Sequence, residues 1–356
     1  MLSSLTEIVE PLLEWYGGHA RELPWREPPG SPGRMEPYRV WLSEIMLQQT
    51  RVEAVKDYYV RFLAELPDIP ALAAAPEEQL LRLWQGLGYY NRVRTMQMAA
   101  QFVVAHYDGV LPNTYEKLRE LPGFGDYTAG AVASIAFGIP APAVDGNVLR
   151  VVTRLTACFE DVTKPAVKNA VAAALREAEP ADRPGDFNQS LMELGATVCL
   201  PNGEPKCLEC PLRELCRGHA DGVAAELPQK APKAARRREE RTVFLLVSEG
   251  KIALRKRPDT GLLARLWEFP SLPGVLSGPE AKAALEAMGL AVRAIAPLKP
   301  ARHVFSHVEW AMTGWVAELE AQPELPELIW AAKGELKTKY ALPSAFLAYY
   351  QAALRL

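Results

Sequence analysis

The sequence lacks the features that would anchor it in a membrane or direct it to secretion. No stretch approaches the ~18 consecutive apolar residues that span a bilayer. Residues 1–7 show no basic start followed by an apolar run, so we expect no secretion signal. Cysteine is scarce, with 5 residues in 356, and an odd count argues against a disulfide framework. These absences predict an intracellular, cytoplasmic protein without a membrane partner.

Neither sign of charge dominates the chain. It has 40 Lys and Arg against 43 Asp and Glu, which gives a formal net charge of −3 at pH 7. Any contact with a polyanion would therefore need positive charge that is concentrated locally. Hydrophobic residues make up 49% and charged residues 23%, which excludes disorder and fibrous repeats for the bulk of the chain. The length predicts about two domains, at roughly 150 residues each.

The first part of the chain carries a helical pattern. From residue 1 to about 222, apolar residues recur at three- and four-residue intervals. Pro67, Pro76 and Pro112 each precede a new period, as expected where one helix ends and another begins. This part is predicted to be helical almost throughout.

The composition changes after that part. Residues 225–240 are charged, contain proline and show no period, which predicts a linker. A solvated connector is the simpler interpretation, and a contribution to phosphate binding is the alternative. The apolar run 242–247 and the alternating segment 251–255 predict a β-hairpin. Further strand-like runs lie at 302–308 and 312–319, and helical ones at 279–288 and 343–354. Residues 241–356 are thus expected to form an α/β domain.

Four of the five cysteines are clustered near the end of the helical part: Cys199, Cys207, Cys210 and Cys216. Clustered thiols in a reducing compartment usually bind a metal. The spacing suits thiolates that converge on one iron–sulfur centre. A structural zinc ion held by four cysteines is the competing interpretation.

A glycine-rich turn joins two predicted helices. The first runs from Tyr115 to Glu120 and stops at Pro122, and the second starts after Gly125. Gly123 and Gly125 flank Phe124 and permit a tight turn, and the N–H groups at the start of the second helix can face an anion. The pattern is similar to the helix-hairpin-helix of DNA repair proteins, which binds phosphate without reading sequence. An ordinary αα-hairpin is the alternative.

Two carboxylates are candidates for acid–base chemistry. Glu44 lies on a predicted helix among apolar neighbours, where desolvation would raise its pKa toward that of a general acid near neutral pH. A surface glutamate on an amphipathic helix is the alternative. Asp145 lies in a Val-Asp-Gly-Asn-Val run, where a helix N-cap is the alternative to a chemical role.

Together these motifs resemble one family, the adenine DNA glycosylases of the helix-hairpin-helix superfamily, which act on adenine mispaired with oxidised guanine. The runs Leu-Ser-Glu-Ile-Met-Leu-Gln-Gln-Thr at 42–50 and Gly-Leu-Gly-Tyr-Tyr at 86–90, the hairpin, the Val-Asp-Gly-Asn-Val run and the cysteines fall in the family's order. The resemblance covers nearly the whole chain. It implies a mainly α glycosylase domain of two helical subdomains and an α/β Nudix-like domain. The implied bounds are 1–224 for the glycosylase domain, 115–131 for its hairpin, 199–216 for its iron–sulfur loop, 225–240 for the linker and 241–356 for the Nudix-like domain.

The resemblance also implies catalytic roles. Glu44 would protonate the adenine ring as the base leaves and then assist water. Asp145 would stabilise the oxocarbenium-like sugar by its charge or by a transient covalent bond, and Asn147 belongs to the same catalytic set. Relatives that cut the strand carry a Schiff-base lysine at the position of Tyr127. The tyrosine predicts a monofunctional enzyme without efficient strand nicking.

Further residues match family positions that contact the opened DNA. The target base must leave the stack and enter a pocket. Arg26 and Gln189 match residues that line this pocket, and a glutamine amide can pair with N6 and N7 of adenine. Gln49 and Tyr89 match residues that fill or wedge the opened helix. Packing on the helix surface is the alternative for these two.

In the second domain, Phe305, Ser306 and His307 match the loop that senses oxidised guanine, where a hydroxyl and backbone groups can meet N7–H and O8. An ordinary strand-end hydroxyl is the alternative for Ser306. A working Nudix hydrolase needs several acids for magnesium just before Gly289. Residues 282–288 hold a single acid, so pyrophosphate hydrolysis is not expected.

The resemblance implies one four-iron–four-sulfur cluster, double-stranded DNA with A opposite 8-oxoguanine or G as partner, and a monomer that is nucleoid-associated if the chain is bacterial. The sequence departs from the family at two places. Seven residues separate the first two cysteines where six are usual, and segment 27–36 is longer than usual. A mismatch thymine/uracil glycosylase of the same fold and a catalytically inactive iron–sulfur scaffold are the alternative functions.

Overall fold

The computed structural model describes residues 5–31, 34–232 and 235–356. The remaining positions, which lie outside the described residues, include part of the N-terminal segment, of segment 27–36 and of the predicted linker. Within the described ranges, no helix is both long enough and apolar enough to cross a membrane.

The chain folds into two compact units. One comprises residues 1–75 and 91–232, and the other comprises residues 76–90 and 233–356. Segment 76–90, which we expect from the sequence to belong to the first domain, therefore groups with the second unit. Within that unit, Gln85 Nε2 donates to the carbonyl of Leu342 at 2.9 Å, and Glu77 pairs with Arg265 at 2.5 Å.

Helices dominate the chain up to residue 220. They are α1 (Val9–His19), α2 (Pro37–Leu47), α3 (Val52–Glu65), α4 (Ile69–Ala74), α5 (Glu77–Leu83), α6 (Asn91–Tyr107), α7 (Tyr115–Arg119), α8 (Asp126–Ala131), α9 (Gly146–Leu155), α10 (Pro165–Ala178), α11 (Pro184–Thr197) and α12 (Arg217–Ala220). A π-helical turn, Val132–Ala136, continues α8. Short 3-10 turns lie at Thr6–Ile8, Cys207–Glu209, Arg213–Leu215 and Ala224–Glu226.

Polar side chains cap several of these helices where the sequence predicts a new start. The carboxylate of Asp68 accepts the N–H of Ala71 at 2.8 Å to begin α4, and Thr114 accepts the N–H of Lys117 at 3.3 Å to begin α7. Each cap satisfies an N–H group that has no partner inside the helix. The prediction of a mainly helical first part is confirmed.

The second part of the chain is built on a mixed sheet. Its elements are β1 (Arg237–Ser248), β2 (Lys251–Lys256), β3 (Trp267–Glu268), β4 (Ser271–Pro273), α13 (Gly278–Ala287), β5 (Val292–Val304), β6 (Val308–Leu319), β7 (Leu328–Ala332), α14 (Lys333–Thr338), a 3-10 turn (Ser344–Phe346) and α15 (Leu347–Ala353). The strand order is β3-β2-β1-β6-β5, with β4 paired to β1 and β7 paired to β2. β1 and β6 run parallel, and the other pairs are antiparallel. The predicted α/β class is confirmed.

Two strand boundaries differ from the sequence analysis. The strand predicted at 302–308 is instead the end of β5 and the start of β6, and residues 305–307 form the tip between them. β1 begins at Arg237, inside the segment predicted as a linker, because Arg237 already pairs with Val308. Pairing satisfies the backbone groups of this charged segment while most of its side chains stay exposed.

Helices α9 and α11 form the part of the core that positions the candidate site. Val148 and Val152 of α9 pack with Leu191 and Leu194 of α11. The two helices approach closely at Gly195, where an added Cβ would lie 2.6 Å from the Cβ of Asn147. Only the smallest residue fits at this crossing.

Gly195→Ala is therefore expected to lower the free energy of unfolding by about 1–3 kcal/mol, because the methyl group forces α9 and α11 apart. The measurement is chemical denaturation followed by far-UV circular dichroism. Gly17→Ala is the matched control, since Gly17 lies in α1 with nothing within 4 Å of its Cβ position. It should stabilise the protein by up to ~1 kcal/mol. Equal stability of Gly195→Ala and the wild type would contradict the close packing.

Candidate active site

A pocket of about 700 Å³ opens in the first unit and is lined mainly by α2, α8, α9, α11 and the loop before α2. It brings together seven of the residues that the sequence singles out. These are Arg26, Glu44, Gln49, Tyr127, Asp145, Asn147 and Gln189. The chain supplies them from positions far apart in sequence, so the fold assembles this site.

Glu44 lies at the wall of this pocket and is only 6% exposed. It belongs to α2, which begins where Glu36 caps the N–H groups of Tyr38 and Arg39 and which is buried over most of its length. Burial raises the pKa of Glu44 to about 7, against the lowering effect of a hydrogen bond from Tyr127. The negative charge of Asp145 raises this pKa further. The surface alternative for Glu44 is excluded by its burial, and the carboxyl can exchange a proton near neutral pH.

Tyr127 is the direct partner of that carboxyl. Its hydroxyl, at the start of α8, donates a hydrogen bond to Oε2 of Glu44. Burial and the charge of Glu44 raise the pKa of Tyr127 well above its ordinary value. The side chain therefore stays a neutral donor, and the position carries no amine that could form a Schiff base.

Asp145 is both a helix cap and a pocket residue. One carboxylate oxygen accepts the N–H groups of Asn147 and Val148 at 2.8 and 2.7 Å, and the other accepts the amide of Asn147 at 2.8 Å. Burial raises the pKa of Asp145, while these hydrogen bonds and the charge of Arg150 act to lower it. The capping alternative thus holds together with a place in the pocket.

Arg150 connects this carboxylate to the cysteine segment. Its guanidinium donates to Oδ1 of Asn147 at 2.8 Å and to the carbonyl of Cys199 at 2.8 Å. Arg150 is 6% exposed and is not among the site residues predicted from the sequence. A charged residue in the apolar run of α9 is the signal that could have found it.

A second buried network lines the same pocket. Glu193 is 1% exposed and accepts hydrogen bonds from Arg21 at 2.6 Å and Arg26 at 3.0 Å. Arg26 also donates to the side-chain oxygen of Gln189 at 3.2 Å. Neither Arg21 nor Glu193 is among the site residues predicted from the sequence. The spacing of Gln189 and Glu193, four residues apart on one helix face, is the signal that could have found Glu193.

The other predicted DNA-contacting residues lie outside this pocket. Tyr89 belongs to the second unit and is 48% exposed. In the hairpin between α7 and α8, Gly123 has a φ of 76° and Gly125 caps α8. Phe124 is buried against Trp41, and its N–H donates to the carbonyl of Leu121 at 3.1 Å. Phe124 therefore anchors the turn with its side chain.

Phe305, Ser306 and His307 form the tip between β5 and β6. Ser306 and His307 are exposed, with 3.4 Å between the hydroxyl and the ring Nδ1. Phe305 packs edge-on against Trp310 at 4.9 Å between ring centroids. The exposed hydroxyl at a hairpin tip is available to a partner.

The four clustered cysteines line one small cavity together with Arg154 and His219. Burial is the main cause that raises the pKa of Cys210 to about 12, and it also raises the pKa values of Cys207 and Cys216. The sulfur of Cys199 accepts a hydrogen bond from Arg154 at 3.2 Å. Four soft donors around one cavity fit a thiolate-bound iron centre.

The zinc and iron–sulfur interpretations require different distances between the thiols. Four thiolates on one tetrahedral zinc ion, with Zn–S bonds of ~2.3 Å, must lie within about 4 Å of one another. Within the described ranges, no group of three or more His, Cys, Asp or Glu side chains is arranged to hold a single ion. In an iron–sulfur cluster each cysteine binds a different iron, so the thiols lie farther apart than they do around a single ion.

Each of the two parts of the chain matches a known protein family. Residues 42–177 match the HhH-GPD superfamily base excision DNA repair proteins, and residues 242–352 match the NUDIX domain. An adenine DNA glycosylase of Rattus norvegicus is 37% identical over 90% of this chain and 72% of its own length. A thermostable thymine-DNA glycosylase is 27% identical with a TM-score of 0.52, and it covers 60% of this chain and 96% of its own. Endonuclease III in a non-covalent DNA complex is 25% identical with a TM-score of 0.51. The match covers 61% of this chain and 95% of that chain.

The burial of Glu44 makes stability depend on pH. Because the folded-state pKa of about 7 exceeds the ordinary value of 4.5, the stability associated with this group is lost as pH rises from about 4.5 through about 7. Glu44→Gln removes this loss. The stability of the variant relative to wild type should therefore grow by on the order of 2 kcal/mol between pH 5 and pH 8.

Denaturation curves at both pH values measure this difference. Glu14→Gln, a change of the same kind at an exposed position on α1, should show no growth. A difference for Glu44→Gln that stays flat between the two pH values would contradict the raised pKa.

Proposed function

The chain belongs to the adenine DNA glycosylases of base excision repair, and we propose that it releases adenine mispaired with 8-oxoguanine or guanine by hydrolysis of the N-glycosidic bond. The observation that carries this proposal is the pairing of two unlike carboxyls in one pocket. Glu44 is buried with a pKa of about 7, and Asp145 is held by three hydrogen-bond donors. One can supply a proton while the other supplies charge.

In the proposed mechanism, Glu44 is the general acid. Protonated Glu44 transfers its proton to a ring nitrogen of the flipped adenine, which becomes a better leaving group as the bond to the sugar breaks. The carboxylate that results can accept a proton from the attacking water. The hydrogen bond from Tyr127 holds Oε2, so the other oxygen, Oε1, is the one that can exchange the proton.

Asp145 stabilises the positive charge that develops on the sugar. The two backbone N–H groups and the Asn147 amide hold its carboxylate in one orientation, so no rearrangement is needed when the charge appears. The preorganised geometry suits stabilisation by charge and suits a transient bond to the sugar carbon.

The enzyme is proposed to be monofunctional. A strand cut through a Schiff base needs an amine next to the sugar, and Tyr127 offers a hydroxyl with a strongly raised pKa instead. The product is then an intact strand with an abasic site.

The proposed DNA contacts distribute over both units. Arg26 and Gln189 line the pocket that would receive the flipped adenine, and Gln49 lies at the same pocket with a φ of 58°. Tyr89, with a φ of 49° and an exposed ring, is proposed to wedge the opened stack. The hairpin turn Gly123–Gly125 is proposed to hold a backbone phosphate. The protein is proposed to act as a monomer.

The second unit is proposed to recognise 8-oxoguanine through Ser306 at the exposed hairpin tip, with Phe305 and His307 beside it. It is not proposed to hydrolyse pyrophosphates, because residues 282–288, just before Gly289, hold Glu286 as their single acid. Glu280 forms the capping box with Ser277, and Glu286 lies 3.7 Å from Lys282. The similarity to the thymine-DNA glycosylase leaves 40% of this chain without a counterpart, which favours adenine over thymine as the target.

Cys199, Cys207, Cys210 and Cys216 are proposed to hold one four-iron–four-sulfur cluster. The cluster would order the loop that bears Lys206, Arg213 and Arg217 and would not enter the chemistry at the sugar. This loop also lies against the Arg150 and Arg154 side chains through Cys199. A structural role is the economical interpretation.

Single-turnover assays on three duplexes test the proposed activity: A opposite 8-oxoguanine, A opposite G, and T opposite G. Adenine should be released from the first two, and strand breaks should appear only after heat or alkali. Glu44→Gln should slow release by roughly 100-fold or more, since a positioned general acid contributes about 10²–10⁴.

Glu14→Gln is the matched control and should keep the wild-type rate. Activity on the thymine duplex alone, full activity of Glu44→Gln, or rapid nicking without alkali would each contradict the proposal.

Metal analysis tests the cluster. Protein purified without oxygen should contain about four irons per chain and absorb broadly near ~400 nm. Cys207→Ser should lose both signals, and Cys158→Ser should keep them, because Cys158 lies outside the cavity that the other four cysteines line. Bound zinc in place of iron would contradict the assignment.

A further inference from the structure

A fully buried carboxylate at the pocket has no role in the chemistry derived so far. The Glu193 side chain is 0% exposed and forms ion pairs with Arg21 and Arg26. Arg26 in turn donates from Nε to Oε1 of Gln189 at 3.2 Å. Contacts thus run in an unbroken chain from Glu193 through Arg26 to Gln189, a residue that faces the base pocket.

These contacts fix which way the amide of Gln189 points. A guanidinium carries only hydrogen-bond donors, so the Gln189 atom that meets Arg26 must be the carbonyl oxygen. The reversed amide would set NH₂ against N–H. Nε2 of Gln189 therefore points elsewhere, and within the described part of the chain it has no hydrogen-bond partner. The oxygen keeps one lone pair, and the nitrogen keeps its donors.

A side-chain amide with a fixed orientation can discriminate between purines. Adenine places the N6 amino donor beside a ring-nitrogen acceptor, whereas guanine and hypoxanthine place the acceptor O6 at that position. The locked amide offers an oxygen to N6 and an N–H to the ring nitrogen. An O6 in the same place would meet the oxygen of Gln189, and an amide that cannot turn has no donor to offer it.

We propose that Glu193 is a positioning residue for base selection. By holding Arg26, it fixes the Gln189 amide in the orientation that accepts adenine and rejects purines with an oxygen at position 6. The inference rests on the proposed function, because it concerns the base that this pocket receives. Arg21 is the second support, since it binds both oxygens of Glu193, at 2.6 and 3.1 Å.

Glu193 also neutralises a cation near the general acid. Burial raises the pKa of Glu44 most, the Tyr127 hydrogen bond lowers it, the charge of Asp145 raises it, and the charge of Arg26 lowers it. Without Glu193 the charge of Arg26 would be uncompensated. The pH at which excision falls to half its maximum should then move to lower values, which a loss of packing alone would not cause.

The experiment compares single-turnover rates on duplexes that carry adenine or hypoxanthine opposite 8-oxoguanine, for wild type and Glu193→Gln. Wild type should release adenine at least roughly tenfold faster than hypoxanthine, the worth of one well-placed polar contact. In Glu193→Gln this ratio should fall by roughly tenfold, and the pH midpoint for adenine release should decrease. Asp186→Asn is the matched control: it breaks the 2.8 Å pair with Arg183 at the start of the same helix and should change neither readout.

An unchanged ratio and an unchanged midpoint in a folded Glu193→Gln protein would overturn the inference; circular dichroism and thermal melting establish the fold. If Glu193→Gln does not fold, the wild-type rates for the two bases test the fixed orientation of the Gln189 amide. Release of hypoxanthine as fast as adenine overturns the locked amide, and release at least tenfold slower supports it. Failure of wild type to release adenine at all would instead contradict the proposed function.

Discussion

The removal of one carboxyl from water is the constraint on which the site depends. Glu44 lies on a helix that is buried over most of its length, and its burial raises the pKa to about 7. Asp145, in the same pocket, lies at the N-terminus of α9, where peptide N–H groups stabilise a negative charge. Burial raises the pKa of both carboxyls, but Asp145 accepts three hydrogen bonds whereas Glu44 accepts one, from Tyr127. In the proposed mechanism, that difference lets Glu44 act as the acid while Asp145 stabilises charge.

The remaining parts of the first unit maintain this difference. Gly195 lets α11 approach α9, so that Gln189 and Glu193 reach the pocket that Asp145 and Asn147 line. The buried carboxylate of Glu193 lies between Arg21 and Arg26 and forms an ion pair with each of them. Arg150 joins Asn147 to the backbone of Cys199. Hydrogen bonds of the Arg150 guanidinium therefore connect the loop that bears the cysteines to Asn147, the partner of Asp145.

The sequence identifies candidate site residues better than it predicts their burial and their partners. Glu44 and Asp145 are recognisable as candidates from the sequence, but their local patterns also fit a surface glutamate and a simple helix cap. The packing of α2 buries Glu44, which excludes a surface glutamate. Asp145 turned out to be a cap and a pocket residue together, which local patterns treat as alternatives. Glu193 could not be predicted from pairing, because its arginine partners lie 172 and 167 residues away in the chain. The strand expected at 302–308 is wrong because this segment contains the turn between β5 and β6, and the pairing of these strands, which no local pattern shows, sets the boundary.

The central claim is that Glu44 titrates near neutral pH in the folded protein. Carbon-13 labelling of glutamate carboxyls, with NMR or infrared difference spectra of wild type against Glu44→Gln across pH 4 to 9, observes this titration directly. The signal that the variant lacks should titrate with a midpoint near 7, the value expected for the buried carboxyl. A midpoint near the ordinary 4.5 would contradict the account, since the carboxyl would then be ionised at neutral pH and could not protonate a leaving base.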